Sequence, residues 1–111
     1  MKYLRNIKPF EPISMTDIIS HTGNTIASKA LINNDNIEIR FFSFASGEDI
    51  DKEYYEMETL FVMIEGSVKI LYNENDEVVI NKGDIVALEA NTDYGVKALT
   101  NVKLFNVLVK V

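Results

Sequence analysis

Cysteine is absent from the chain, histidine occurs once and proline twice. Without cysteine there is no disulfide framework, no thiolate metal site and no cysteine nucleophile. A cytoplasmic location is the expectation that fits that absence. Basic residues are also few: 11 Lys and Arg against 17 Asp and Glu leave a formal net charge of −6. A surface of that sign repels phosphate backbones and anionic membrane faces, so neither nucleic acid nor membrane is expected as a partner. Long apolar runs are missing. The longest, residues 60–64, falls far short of a bilayer span. The first ten residues carry Lys2, Arg5 and Lys8 with no apolar segment after them, which does not read as a signal peptide. There is no glycine-rich phosphate loop, no Gly-x-Ser-x-Gly elbow and no His-Glu-x-x-His.

What is present is a series of short strands. A chain of 111 residues is one domain, and at this size it buries roughly 65% of its unfolded surface. Residues 1–24 read as an extended N-terminal arm. Pro9 and Pro12 push the residues before them away from helix. Ser14 or Thr16 is placed to cap one helical turn over residues 15–19, the only helix expected. Residues 25–111 form the barrel domain, with strands predicted over 25–32, 37–45, 50–55, 59–65, 68–72, 77–80, 85–89, 94–99 and 102–111. Turn clusters such as Asn33-Asn34-Asp35-Asn36 and Asn73-Glu74-Asn75-Asp76 separate them. In the first strand Ile26, Ser28, Ala30 and Ile32 share a face by alternation. In the second, Ile37, Ile39 and Phe41 alternate with Glu38 and Arg40 before Phe41, Phe42 and Phe44 crowd both faces. Strand 68–72 is expected to pair with 59–65 across the Gly66-Ser67 turn. This rhythm, almost free of helix, belongs to an all-β sandwich or barrel with antiparallel strands.

Two blocks stand out. The first runs from Gly47 to Gly66, GEDIDKEYYEMETLFVMIEG: a glycine turn, an acidic loop, an apolar strand and a second glycine turn. The second, GDIVALEANTDYGV, begins at Gly83. In spacing and strand rhythm the two blocks resemble the conserved pair of the cupin superfamily, in its small single-domain bacterial, RmlC-like form. The upstream segment IASKALINNDNIEIRFFSFASGE is similar to the lead strands of a common bacterial subgroup. The resemblance covers residues from about 25 to 110. It implies an antiparallel jelly-roll β-barrel, and a homodimer with the N-terminal segment exchanged or packed across the interface. Cupins bind a divalent metal with two histidines and a glutamate from the first block and a histidine from the second. Carried across position by position, those ligands fall on Glu53, Tyr55, Thr59 and Tyr94. None is histidine, and the one histidine, His21, lies outside both blocks in a turn, where it reads as an exposed loop residue. The resemblance thus carries the fold across without the metal chemistry, and no cofactor is expected.

The candidate ligand-binding set is Glu53, Tyr55, Thr59, Phe61, Met63 and Tyr94. Phe61 and Met63 share strand parity with Thr59, so all three face the same way. They would form core or an apolar floor beneath a ligand. The function expected first is a metal-independent module that binds a small molecule at the barrel mouth. The alternative is a small enzyme, isomerase- or dioxygenase-like, acting on a small carbonyl or sugar-like compound. It would use a tyrosine–glutamate pair for proton transfer or a degenerate metal site.

Overall fold

The computed structural model describes residues 1–110. After a single 3-10 turn at Met15–Asp17, nine strands follow among the described residues: β1 (Ile26–Asn33), β2 (Ile37–Phe44), β3 (Asp49–Tyr55), β4 (Glu58–Glu65), β5 (Ser67–Tyr72), β6 (Asp76–Asn81), β7 (Ile85–Leu88), β8 (Thr92–Ala98) and β9 (Val102–Val109). The sequence reading extended the last strand and the barrel domain to Val111, which lies outside the described residues. The strands form two antiparallel sheets, in the order β1-β2-β9-β4-β7 and β3-β8-β5-β6. Ser14 precedes the 3-10 turn without a side-chain capping bond, because its hydroxyl lies 3.0 Å from that of Thr16.

The β4–β5 connection differs from the expectation. β4 pairs with β7 and β9, and β5 pairs with β6 and β8, so the chain crosses between sheets at Gly66 instead of folding back as a hairpin. Gly66 has φ +77, and a Cβ there would lie 2.2 Å from the Asn101 carbonyl oxygen. Only glycine fits this crossing, where the β8–β9 turn presses against it.

Side chains alternate across each strand, so the pairing registers stack the inward residues of the larger sheet in layers. Glu38 opposes Leu108, and Leu108 opposes Thr59, at one end of the barrel. The next layer holds Arg40, Asn106 and Phe61, followed by Phe42, Leu104 and Met63, with Phe44 and Val102 beyond. Val68, Ile70, Val96 and Ala98 meet these layers from the smaller sheet, and all four are buried.

The larger sheet is covered on its outer face too. Phe41, Leu31, Ile64 and Ile18 form a second buried cluster, joined by Ile7, Ile19, Ile39 and Phe105. Phe41 and Phe105 stack there at 5.0 Å. The N-terminal arm supplies Ile7, Ile18 and Ile19, and polar ties hold it down. The Arg5 N–H donates to the Leu31 carbonyl (2.7 Å) and the Asn6 amide to that of Ala30 (2.8 Å). Lys29 donates to the Ile18 carbonyl (2.9 Å), and Lys103 to the Thr16 carbonyl. The His21 ring is half-buried, with Nδ1 2.7 Å from the hydroxyl of fully buried Ser43, so it fastens the arm to β2 instead of lying exposed in a loop. This cover explains the pattern of β2. Its Ile37, Ile39 and Phe41 face outward under or beside the arm, while Glu38 and Arg40 face the lumen. In β1 an irregularity between Ala30 and Ile32 turns Ile32 to the outer face opposite Ile39, away from the side it would share with Ile26, Ser28 and Ala30 in an unbroken strand.

Candidate ligand pocket at the barrel mouth

A cavity of about 130 Å³ opens between the two sheets. β2 contributes Glu38, Arg40, Phe42 and Phe44, β4 contributes Phe61, and β9 contributes Leu104, Asn106 and Leu108. The smaller sheet adds Tyr55 and Ile50 from β3, and Tyr94, Gly95 and Val96 from β8. Gly95 matters for its backbone: a Cβ there would lie 2.6 Å from the Ile50 carbonyl oxygen, where the β3–β8 register shifts between Ile50 and Glu53. The shift brings Glu53 opposite Tyr94 and Tyr55 opposite Thr92, so Glu53 and Tyr55 point to the same side as Tyr94.

The two tyrosines meet face to face, with ring centres 4.2 Å apart and planes 19° from parallel. Phe61 packs edge-on against Tyr94 at 5.7 Å. The Tyr94 hydroxyl lies 2.8 Å from Thr59 Oγ1, and both residues are buried. The Tyr55 hydroxyl donates to Glu53 Oε2 at 3.3 Å. Burial pushes the Tyr94 phenol up to about 12; the Thr59 bond works against this, while Tyr55 and Glu38 add to it. Tyr55 is also raised, first by burial and then by the Glu53 carboxylate. Both phenols therefore keep their protons at neutral pH.

Of the six residues singled out from the sequence, Tyr55, Phe61 and Tyr94 line the cavity. Thr59 lies behind Tyr94, Met63 is packed in the core, and Glu53 sits exposed at the rim. Sequence reasoning missed Glu38, Arg40 and Asn106. Arg40 Nη2 lies 3.6 Å from Glu38 Oε1, and Nη1 donates to the Ser28 hydroxyl at 3.3 Å. Asn106, 8% exposed, has its Oδ1 buried with no hydrogen-bond partner among the described residues. One signal was available: Asn106 interrupts an otherwise apolar inward row, Val102, Leu104 and Leu108.

The residues at the positions of the family's metal ligands do not fit a divalent cation. The hydroxyls of Thr59 and Tyr94 are engaged with each other and that of Tyr55 with Glu53, and neither phenol yields a phenolate at neutral pH. Among the described residues no three His, Cys, Asp or Glu side chains converge as a metal site.

No protein-family model matches the chain, and no curated protein does. Solved structures do. A cupin superfamily protein from Desulfitobacterium hafniense superposes with a TM-score of 0.91 over 97% of this chain and 98% of its own, at 23% identity. The chain has the cupin fold. A cupin 2 conserved barrel domain protein from Leptotrichia buccalis agrees, with a TM-score of 0.87 and 28% identity over 94% of this chain and 50% of its own. The present cupin barrel thus spans half of that protein. A conserved protein of unknown function from Streptococcus pyogenes matches with a TM-score of 0.93 at 18% identity, over 100% of this chain and 96% of its own. The cupin frame accounts for the two sheets and for the mouth where β3, β4 and β8 meet.

Proposed function

We propose that the protein is a metal-independent small-molecule-binding module whose ligand enters the barrel between the two sheets. The observation that carries this reading is the cavity itself: apolar walls, a stacked tyrosine pair at its mouth and a few convergent polar groups, the usual composition of a ligand site. Glu53 belongs to the rim of the site, Thr59 and Met63 to its support, and Tyr55, Phe61 and Tyr94 to its wall. A thermal-shift screen tests the reading. A small organic compound is expected to raise the melting temperature, since a ligand that binds only the folded state stabilises it. Manganese, iron, nickel and zinc ions at micromolar concentration are expected to leave it unchanged. A large shift with a metal ion and none with any organic compound overturns the proposal.

A second reading, catalysis by proton transfer, draws support from the Tyr55–Glu53 hydrogen bond. In that case Tyr55 acts as the proton donor to a small carbonyl or sugar-like compound, with Glu53 as its partner. Tyr55→Phe then abolishes turnover of any substrate found, and full retention of turnover rules this mechanism out.

The same proposal includes a homodimer. Ile85 and Val109 stand exposed on the outer face of the larger sheet, and the arm exposes Phe10, Ile13 and Met15. Two copies related by a two-fold axis bring each other's arm and sheet face together, which favours a symmetric pair.

A further inference from the structure

We infer that the contact between His21 and Ser43 is an acid-sensitive latch: a proton on the His21 ring breaks it, and the N-terminal arm loosens from the outer face of the larger sheet. Ser43 makes two contacts to this one residue. Its Oγ accepts from the His21 backbone N–H at 3.1 Å and lies 2.7 Å from the ring Nδ1. Ser43 is fully buried, and its hydroxyl has no further partner among the described residues. The backbone N–H is a donor whatever the state of the ring. The serine proton therefore has one acceptor, Nδ1. That pattern assigns the neutral tautomer: Nδ1 accepts and Nε2 carries the hydrogen. A protonated imidazole donates from both nitrogens. Nδ1 then turns from acceptor to donor, and the Ser43 proton is stranded at a site that solvent does not reach. A buried hydroxyl left in that condition weakens the packing that buries it.

The charges around the ring do not offset this loss. Lys29 of β1 and Lys103 of β9 hold the arm through the carbonyls of Ile18 and Thr16, and Lys103 also reaches the Ser20 hydroxyl at 3.2 Å. Lys103 is the ladder partner of Ser43, so its ammonium puts like charge on the same face. The carboxylates on the neighbouring elements are Asp17 in the 3-10 turn and Glu65, which opposes Lys103 from β4. Neither forms an ion pair with the ring. On its outer face β2 presents Ile37, Ile39, Phe41 and Ser43, none of them charged. His21 is also well placed to act. It is followed at once by the turn into β1, which Thr25 Oγ1 closes on the Thr22 carbonyl at 2.6 Å. Loosening the arm there uncovers Leu31, Phe41 and Ile64, against which Ile18 and Ile19 pack. Histidine is the side chain whose charge changes between about pH 5 and pH 8. A proton that costs the latched arm its bond favours release, so the arm loosens as pH falls through that range.

Limited proteolysis of the full chain gives the test, each rate being divided by that of an unstructured peptide at the same pH. Cleavage within residues 1–24 tracks the fraction of arm that is open. It is expected to be about tenfold faster at pH 5 than at pH 8, the factor that one hydrogen bond of ordinary strength carries. Cleavage inside the barrel reports global unfolding and is expected to stay constant. An apolar dye is expected to brighten over the same range as the outer cluster is uncovered. His21→Asn places a carbonyl oxygen near the position of Nδ1 and takes up no proton, so its arm is expected to stay closed at both pH values. Ser43→Ala removes the stranded proton together with the bond. Its arm is expected to be cut faster than the unaltered arm at pH 8, with no further rise at pH 5. A normalised rate for the unaltered chain that is the same at both pH values overturns the latch. So does an equal rise in His21→Asn, which assigns the responsible proton to another group. If His21→Asn is open at both pH values, Ser43→Ala decides: a flat rate upholds the inference and a rise at pH 5 overturns it.

Discussion

Tyr94 ties the two sheets together at a single atom. Its hydroxyl, on the smaller sheet, meets Thr59 Oγ1 on the larger one, and neither residue has water to fall back on. Tyr94→Phe leaves the Thr59 hydroxyl buried without that partner, and urea denaturation is expected to show a loss of about 1–3 kcal/mol. Adding Thr59→Val removes the orphaned group, so the double variant is expected to recover part of that loss. Tyr94 also couples stability to alkaline pH. Its folded-state pKa of about 12 lies above the ordinary phenol value of 10.0. Between those values the unfolded chain has released the proton that the folded chain still holds. The stability that this phenol contributes is therefore fully present below pH 10 and is lost as pH rises towards 12. Ultraviolet absorbance titration is expected to show a phenol that ionises about two units late, and Tyr94→Phe is expected to remove that phase. At this scale the sequence was partly legible. Spacing from the two glycine blocks led to Tyr55 and Tyr94, but nothing in the order of residues reveals that a phenol and a threonine from different sheets share a bond.

Strands and turns were easier to read than their partners. Each of the nine strands matches a predicted one to within a residue or two, since turn signals and side-chain period are local properties, although β3 is a polar, largely exposed piece without apolar alternation. Pairing is not local, and β4 and β5 looked like a hairpin because glycine followed by serine usually marks a turn. The crossing depends on Asn101, thirty-five positions downstream, approaching Gly66. Gly66→Ala is expected to cost more than about 1 kcal/mol, measured by urea denaturation, since it adds both a clash and an unfavourable positive φ. The lumen-facing side of β2 was hidden for a related reason. Ile37, Ile39 and Phe41 alternate with Glu38 and Arg40, but alternation does not say which side faces the lumen; the apolar side is covered by or lies beside the N-terminal arm, and Glu38 and Arg40 line the cavity. The arm's attachment can be checked through His21. His21→Ala removes its ring bond to Ser43 and is expected to cost about 1 kcal/mol, with faster proteolytic cleavage between residues 1 and 24. Unchanged cleavage would mean that the arm is held by its apolar contacts and lysine ties alone.

At the scale of the molecule, exposed apolar side chains among the described residues include Ile85 and Val109 on the outer sheet face and Phe10 on the arm. Sedimentation is expected to show a dimer that Ile85→Lys together with Val109→Lys converts to monomer while the fold is retained. A monomeric unaltered chain at micromolar concentration overturns the paired arrangement. The stacked tyrosines at the mouth have a further consequence. The chain has five tyrosines and no tryptophan, so its near-ultraviolet emission is that of phenols alone. Two of the five lie 4.2 Å apart where a guest must enter, close enough for their electronic transitions to couple. Any guest that parts, tilts or covers the rings changes that coupling and with it the dichroic band near 280 nm. The protein thus carries an unlabelled optical gauge of its own occupancy, placed by the same packing that shapes the mouth.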